Sequence, residues 1–370
     1  MFMRETIVRE RRRLPTSTAS ETADIAEALA ETVRQASAER RPLRIVGGDT
    51  KAFHGRAVMG EPLDLSGHRG VVDYEPSELV ITARAGTPIL EIEALLARHG
   101  QMLAFEPPVL GPGSTLGGMV AAGFSGPRRP FAGAVRDSVL GVTVLNGKGE
   151  ALRLGGTVFK NVAGFDGFRL MAGALGCLGV LLEISIRVAP IPAAESSHGF
   201  ETDWPQAQAM ITALMRRPVP LSGAAHDGRR LYLRLSGAAA AVSQTGAEIG
   251  GDATPNDFWS DLRHRRIGPV VRPRVWRLSV PRTAVLPDLP GRWLRDWAGG
   301  EIWLESEAGA DRIRGMTAAA GGHATIYRGA RPGETVFTPL PAGLFAIHRR
   351  LKGAFDPVGI FNPGRMYEGL

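Results

Sequence analysis

The stretch Gly111-Pro-Gly-Ser-Thr-Leu-Gly-Gly-Met-Val-Ala-Ala-Gly-Phe-Ser-Gly126 constrains this chain more than any other. Each interior glycine costs about 1 kcal/mol in a helix relative to alanine, so the run is not expected to make a good helix. It offers exposed backbone N–H groups, a few hydroxyls, and no Cβ atoms to hold a flat or phosphorylated ligand away. Taken alone, a bland glycine loop and one wall of a binding site are both open readings. The rest of the chain has to decide between them.

A length of 370 residues exceeds one ordinary core, so two domains are the starting expectation. With 44% hydrophobic and 22% charged residues the chain reads as globular rather than disordered. The formal charge of +7 fits an anionic cofactor, an acidic partner, an anionic membrane surface or nucleic acid. The arginines are dispersed and no nucleic-acid-binding signature is present, which argues against the last. A single cysteine, Cys177, excludes an intramolecular disulfide and a cysteine-rich metal or iron–sulfur site. A reducing compartment is the simplest fit. Met1 to Arg13 is charged and lacks an apolar core, so no signal peptide is expected. No segment is apolar for long enough to span a bilayer, so membrane contact is expected to be peripheral or through a partner.

Along the chain, Ser20 to Arg40 reads as an amphipathic helix with Ile25, Leu29 and Val33 on one stripe. Leu43 to Val46 is a short strand running straight into Gly47-Gly-Asp-Thr-Lys51. A strand followed by paired glycines, a hydroxyl and a lysine fits a phosphate cradle, and equally a strand-ending turn. Strands are expected at Leu63–Leu65, Val71–Tyr74 and Leu79–Ala83. Thr87-Pro88 then reads as an N-cap and first helical residue, with Gly100 stopping the helix. Asn146-Gly-Lys-Gly149 superficially resembles a nucleotide P-loop, but the spacing is wrong and Gly149 stands where Ser or Thr is needed. A β-hairpin turn between Val139–Leu145 and Ala151–Leu154 is the better reading.

After Lys160-Asn-Val-Ala-Gly-Phe-Asp166, a short helix is expected to end near Gly176, and Val180–Val188 reads as a buried strand. Ala189-Pro-Ile-Pro192 marks a domain boundary. Beyond it, strands at Leu231–Leu235 and Trp276–Val280 and a helix at Ala238–Glu248 suit a second α+β domain whose six tryptophans are core or interface residues. Pro341 to Ala354 reads as a helix with Leu344, Phe345, Ile347 and Leu351 inward and Arg349, Arg350 and Lys352 outward. Phe355-Asp-Pro-Val-Gly-Ile-Phe-Asn-Pro-Gly-Arg365 follows as a rigid non-helical path.

These motifs together resemble a family. Val46 to Lys51, Gly113 to Gly118, Ala121 to Gly126, Lys160 to Asp166, Gly176 to Val180 and the terminal Asn362-Pro-Gly-Arg365 stand in the order seen in FAD-binding proteins of the vanillyl-alcohol oxidase type. More narrowly, the chain resembles the E-subunit family of bacterial glycolate oxidases (glycolate dehydrogenases). The resemblance covers the first half strongly, the last part well and the middle loosely. It implies an α+β architecture: a PCMH-type FAD-binding domain of two α+β subdomains over 1–192, and a smaller α+β cap domain over 193–335. A C-terminal helix and tail, 336–370, would pack back on the FAD domain. By the same resemblance, Gly47, Gly48, Asp49, Thr50 and Lys51 would bind the pyrophosphate of FAD. Gly113, Ser114, Thr115, Gly117, Gly118, Ala121, Gly123, Ser125 and Gly126 would line the pyrophosphate, ribityl chain and flavin ring. Gly179 and Val180 would lie against the adenosine end, and Asn362 joins the cofactor-binding set.

The family implies a complex in which a catalytic flavoprotein subunit carries the substrate motif and an iron–sulfur subunit passes electrons to a quinone. By the same resemblance the complex is expected to be cytoplasmic, and to meet the inner membrane at most peripherally. Some relatives attach FAD covalently through a histidine just after the paired glycines. Here that position is Asp49, so the FAD is expected to be non-covalent, with His54 read as a surface histidine. Cys177 replaces a usual threonine and reads as a small buried residue rather than a redox group. The His-x-Gly-Asp-Gly-Asn-x-His-like motif of hydroxy-acid-oxidising relatives is missing. Gly321-Gly-His323 is its nearest echo, an ordinary cap-domain histidine or one facing the flavin. No metal-ligand spacing is present, and no catalytic residue is assigned. Two alternatives stay beside the subunit reading: a stand-alone FAD-dependent oxidoreductase of another hydroxy acid or alcohol, and a non-catalytic assembly subunit.

Overall fold

The computed structural model describes residues 23–157, 166–254, 257–286 and 288–370. Within the first half, five antiparallel strands form a sheet in the order Val71–Glu75, Val80–Arg84, Val180–Arg187, Val139–Leu145, Ala151–Gly155. The central strand Val180–Arg187 carries Val180, Leu181, Leu182, Ile184 and Ile186 and is buried at six of its eight positions. The edge strand Ala151–Gly155 alternates and has no buried residue. Asn146 to Gly149 is the hairpin turn between the last two strands, with the Asn146 side-chain oxygen accepting from the Lys148 and Glu150 amides. Beside this sheet lies a parallel pair, Leu43–Val46 with Glu61–Asp64. Helices Ala26–Ala38 and Ile89–Arg98 bury Leu29, Val33, Ile89, Ile92 and Leu96 against the same core. Each such aliphatic side chain contributes about 1.5–3 kcal/mol.

The second half builds an eight-stranded antiparallel sheet. Its spatial order is Asp252–Ala253, Ala194–Glu201, Arg230–Gly237, Leu221–His226, Arg292–Asp296, Glu301–Glu305, Val275–Ser279, His323–Arg328. Trp276 and Trp303 are fully buried within it. A separate cluster joins the two halves: Phe124, from the glycine-rich run, packs with Trp303, Tyr327, Val275 and Leu294 of the second sheet. The chain then returns to its beginning. Leu43 donates to the Ile360 carbonyl at 2.7 Å and Asn362 donates to the Leu43 carbonyl at 2.9 Å, so the tail runs alongside the first strand.

Four expectations need correction. The glycine-rich run does contain a helix, Leu116–Ala122, capped by Thr115 at its start and by Gly123 in the left-handed region at its end. Its propensity is poor, but it is buried, and the Gly117 amide donates to the Ala85 carbonyl at 2.7 Å; packing outweighs propensity here. The N-cap of Ile89–Arg98 is Pro88, because the Thr87 hydroxyl is spent on the backbone of Gly70, accepting from its amide and donating to its carbonyl. The segment after Asp166 forms only a 3₁₀ turn, Gly167–Met171, which ends before Gly176. The C-terminal helix, Ala342–Phe355, keeps Leu351 against the first core and Arg349 and Arg350 exposed, as expected, but differs at Leu344, Ile347 and Lys352. Leu344 and Ile347 are 42% and 52% exposed, and Lys352 is its one buried residue. The ammonium of Lys352 donates to the carbonyls of Cys177 and Phe361 and to Asp356 Oδ2, all within 2.8 Å, and this draws it inward. Of the Lys160 to Asp166 motif, Lys160 to Phe165 lie outside the described residues, as do Ser20 to Thr22 of the first helix.

Candidate functional site

Two glycine turns cross at the end of the first strand. A Cβ on Gly48 would sit 1.4 Å from the Gly113 carbonyl oxygen, and one on Gly47 would sit 2.5 Å from Thr115 Oγ1. Only glycines allow this crossing, and it fixes the turn Gly47–Lys51 beside the start of the helix Leu116–Ala122. Asp49 adopts φ +51°, and its carboxylate is paired with Arg44. Among the described residues, the N–H groups of Gly47, Gly48, Asp49, Thr50 and Lys51 donate to no protein acceptor. Thr50 Oγ1 and Ser114 Oγ lie 3.0 Å apart, which ties the two turns together.

Positive charge gathers at the same place. Among the described residues Lys51 has one side-chain partner, Thr50 Oγ1 at 3.4 Å, and burial pushes its ammonium down to about 8. Arg365 arches back from the tail and donates to the carbonyls of Lys51, Ala52 and His54, and burial lowers its pKa as well. Five unpartnered amides beside two desolvated cations make an anion cradle. Asn362, at φ +41°, closes one side. Its Oδ1 accepts from the Ile45 amide at 2.8 Å, and its Nδ2 donates to the Leu175 carbonyl at 2.7 Å.

From the cradle an apolar cleft runs inward, in two adjoining parts of about 540 Å³ of empty space each. Gly47, Gly48, Asp49, Thr50, Lys51, Thr115, Gly117, Gly118, Ala121, Gly179 and Asn362 all line it. The remaining expected residues stand behind this wall. Gly113 supplies the carbonyl at the crossing. Ser114 is buried and bonded to Thr50 and to the Leu110 amide. Gly123 caps the helix. Ser125 accepts from the Val135 amide, the Gly126 carbonyl accepts from Trp297 Nε1, and Val180 belongs to the core. Sequence reasoning missed Ile45, Leu65, Ala85, Met171, Ala174, Leu175 and Arg365, all of which line the cleft. Arg365 alone carried a signal, at the end of the Asn362-Pro-Gly turn; the others are ordinary apolar residues made relevant by topology.

His54 is buried, not at the surface. Its ring packs on Phe124 at 4.8 Å, Phe337 at 5.5 Å and Tyr327 at 5.8 Å, and its Nδ1 has no partner among the described residues. Burial, then the nearby charges of Arg277 and Arg365, push it down to about 3, so it is neutral. Cys177 is buried, its thiol is pushed up by burial, and Sγ lies 3.8 Å from the Asn362 carbonyl. His323 is exposed at the start of its strand and does not line the cleft. Nearby, the carboxylate of Glu106 sits between Arg128 and Arg234 and binds the flank of the glycine run to the second sheet. Burial raises its pKa, but Arg234 and Arg128 outweigh that and hold it below the usual carboxylate range. Among the described residues, no group of His, Cys, Asp and Glu could hold a metal ion, and no helix is long and apolar enough to cross a membrane.

Residues 22–155 match the FAD binding domain family. Glycolate oxidase subunit GlcE of Escherichia coli (strain K12) is 47% identical over 348 residues, which is 94% of this chain and 99% of that protein. The chain belongs to the glycolate oxidase E-subunit family. Other matches are shorter. The mitochondrial cytochrome-linked D-lactate dehydrogenase of Arabidopsis thaliana is 31% identical over 36% of this chain and 23% of that protein. Glycolate oxidase subunit GlcD of Bacillus subtilis is 30% identical over 33% of this chain and 26% of that protein. A solved structure of alkyldihydroxyacetonephosphate synthase has the same fold, with a TM-score of 0.63 at 16% identity, covering 91% of this chain and 74% of that one. The chain is thus an FAD-dependent oxidoreductase subunit with an α+β fold. The cradle fits the cofactor: unpartnered amides and desolvated cations suit a diphosphate, and the apolar, glycine-walled cleft suits a flat ring system.

Proposed function

We propose that this chain is the FAD-holding E subunit of a complex that oxidises glycolate to glyoxylate. The observation that carries this reading is the full-length match to a glycolate oxidase subunit. FAD, when bound, supplies the acceptor for a hydride and passes its electrons on. The chain's own residues hold it non-covalently. The amides of Gly47 to Lys51 take the diphosphate, with Lys51 and Arg365 adding charge. Thr115, Gly117, Gly118 and Ala121 let the flat and ribityl parts approach the backbone. Gly179 and Asn362 close the opposite side. Gly113, Ser114, Gly123, Ser125, Gly126 and Val180 shape this wall from behind.

The division we adopt is an FAD-binding part over 1–192, a cap over 193–335 and a returning segment over 336–370. The tail hydrogen bonds to Leu43 and Ile45 favour the last of these. The partners are a catalytic flavoprotein subunit and an iron–sulfur subunit that hands electrons to a quinone-type acceptor. The complex is cytoplasmic or rests peripherally on the inner membrane. The missing substrate motif and the aromatic packing of His54 support a subunit that relays or supports rather than one that turns over substrate alone. The test is anaerobic spectroscopy. The chain purified alone is expected to be yellow and to keep its flavin oxidised in glycolate, and its flavin is expected to bleach once the partners are added. Bleaching by glycolate or D-lactate in the isolated chain would overturn the subunit reading.

A further inference from the structure

At the end of the glycine-rich run, the chain reaches Arg128-Arg129-Pro130 and meets a turn of the second sheet. That turn, Trp297-Ala298-Gly299, holds three successive residues at positive φ, +55°, +56° and +95°. Two of them are not glycine, which is uncommon and calls for outside support. The support is visible. Asp296 Oδ1 accepts from the Trp297 amide at 2.7 Å, and Trp297 Nε1 donates to the Gly126 carbonyl at 2.9 Å. The indole is therefore held as a fixed platform.

Two guanidiniums lie on this platform. Arg129 Cζ is 4.1 Å from the ring centroid and Arg277 Cζ is 5.1 Å from it. Arg277 gives its Nε to Glu301 at 2.6 Å and keeps its side chain 23% exposed. Arg129 is half-buried, and among the described residues its guanidinium makes no hydrogen bond or ion pair. Burial and the charge of Arg277 both disfavour its cation. Behind them, Arg265 lies 3.6 Å from the fully buried Glu301, and Asp296 is fully buried. Three guanidiniums face the two buried carboxyls, and Asp137, a further carboxylate acting on Arg129, is shared with Arg136 and Arg169, so a positive charge is left unmatched and Arg129 is where it surfaces.

We propose that Arg129 and Arg277, stacked on Trp297, form a binding site for a small carboxylate. A guanidinium fork matches a carboxylate in two parallel hydrogen bonds, and a desolvated, unpaired arginine has the most to gain from one. A singly charged carboxylate suits the site better than a phosphate, because Glu301 already stands behind the arginines and repels further negative charge. The inference is independent of the flavin and of the complex, since every group in it belongs to this chain.

The test uses the full chain with its FAD and calorimetric titration with glycolate, against ethylene glycol and chloride at matched ionic strength. The proposal expects saturable binding of glycolate, none of ethylene glycol, and binding weakened about tenfold or more in Arg129→Met with flavin content unchanged. Arg129→Lys keeps the charge and loses the fork. It serves if the methionine variant does not fold, and it is expected to bind at least about threefold more weakly. Equal binding of chloride would overturn the proposal, as would glycolate affinity unmoved by either substitution. So would no saturation by about 10 mM, the weak end for a single ion-pair site. In that last case a loss of partner subunits from Arg129→Met would reassign the arginine to an acidic side chain of a partner.

Discussion

The helix Leu116–Ala122 and the helix Ala342–Phe355 invert each other's expectations. The first has two interior glycines and seven residues, yet it forms because it is buried, capped at both ends and hydrogen-bonded to Ala85. The second has 14 residues and a readable apolar stripe, yet Lys352 is its one buried side chain, and Leu344 and Ile347 look outward. Where a helix packs tightly, its glycines are contact surfaces for other backbones; where it lies open, they are a loss of helix propensity. The cleft wall can therefore be built from residues that disfavour helix, because the tertiary structure supplies the stability.

The same substitution placed in each helix tests this most directly. In Gly117→Ala the new Cβ would lie 2.7 Å from the Ala85 Cβ and 3.1 Å from its carbonyl oxygen. The Gly117–Ala85 hydrogen bond prevents the helix from retreating. Gly117→Ala is expected to cost about 1–3 kcal/mol by overpacking and to lose most of the bound FAD. Denaturant titration and the ratio of flavin to protein absorbance check both. A variant that keeps full flavin occupancy would break the claim that close packing at Gly117 shapes the cleft.

This comparison also explains what was legible in the sequence. Gly47 to Lys51 and Gly113 to Gly118 stood out as a candidate cradle because close approach of two backbones needs glycine, although the residues alone left a plain turn and a bland loop open beside it. The hairpin at Asn146 to Gly149 and the buried strand from Val180 were readable for similar local reasons. The helix within the glycine run was not, because its stability comes from Ala85, about thirty positions away. Neither was the burial of Lys352 on the C-terminal helix, which is drawn inward by carbonyls of Cys177 and Phe361. His54 read as a surface residue because the rings that bury it, Phe124, Tyr327 and Phe337, come from three distant segments. The platform of Arg129, Arg277 and Trp297 is legible only once the two halves are docked.

The two helices also differ in how they handle polar groups. The buried ammonium of Lys352 is matched by Asp356, whereas Phe124, just beyond the glycine helix, packs on the neutral imidazole of His54, which faces no carboxylate among the described residues. An unfolded histidine protonates near 6.5, and folded His54 resists protonation down to about 3. Below about 6.5 the unfolded state therefore binds a proton that the folded state refuses. Stability should fall as pH drops through that window, by about 1.4 kcal/mol per pH unit from this residue, and should not change for this reason above it. His264, pushed down to about 4 by burial and by Arg263 and Arg266, adds to the same slope. Denaturant midpoints at pH 7 and pH 5 for the wild type and His54→Gln measure it, and the variant is expected to flatten the dependence. An unchanged slope would mean that His54 is solvated.

The smallest effect is expected at Gly353, and its sign carries the argument. Gly353 lies within Ala342–Phe355, and no atom outside its own helix comes within 4 Å of a Cβ built there. Alanine adds no clash and removes backbone freedom from the unfolded chain, so Gly353→Ala should stabilise by about 0.5–1 kcal/mol, with flavin content unchanged. Gly117→Ala and Gly353→Ala then differ in sign although both replace a helical glycine by the best helix former. Intrinsic propensity predicts a gain at both positions, and packing predicts a gain only at Gly353. A stabilised Gly117→Ala would restore propensity as the governing term. A destabilised Gly353→Ala would show that the outward face of the C-terminal helix is already in contact with something in the isolated protein. Opposite signs leave burial as the property that separates the wall of the cleft from the helix on the outside.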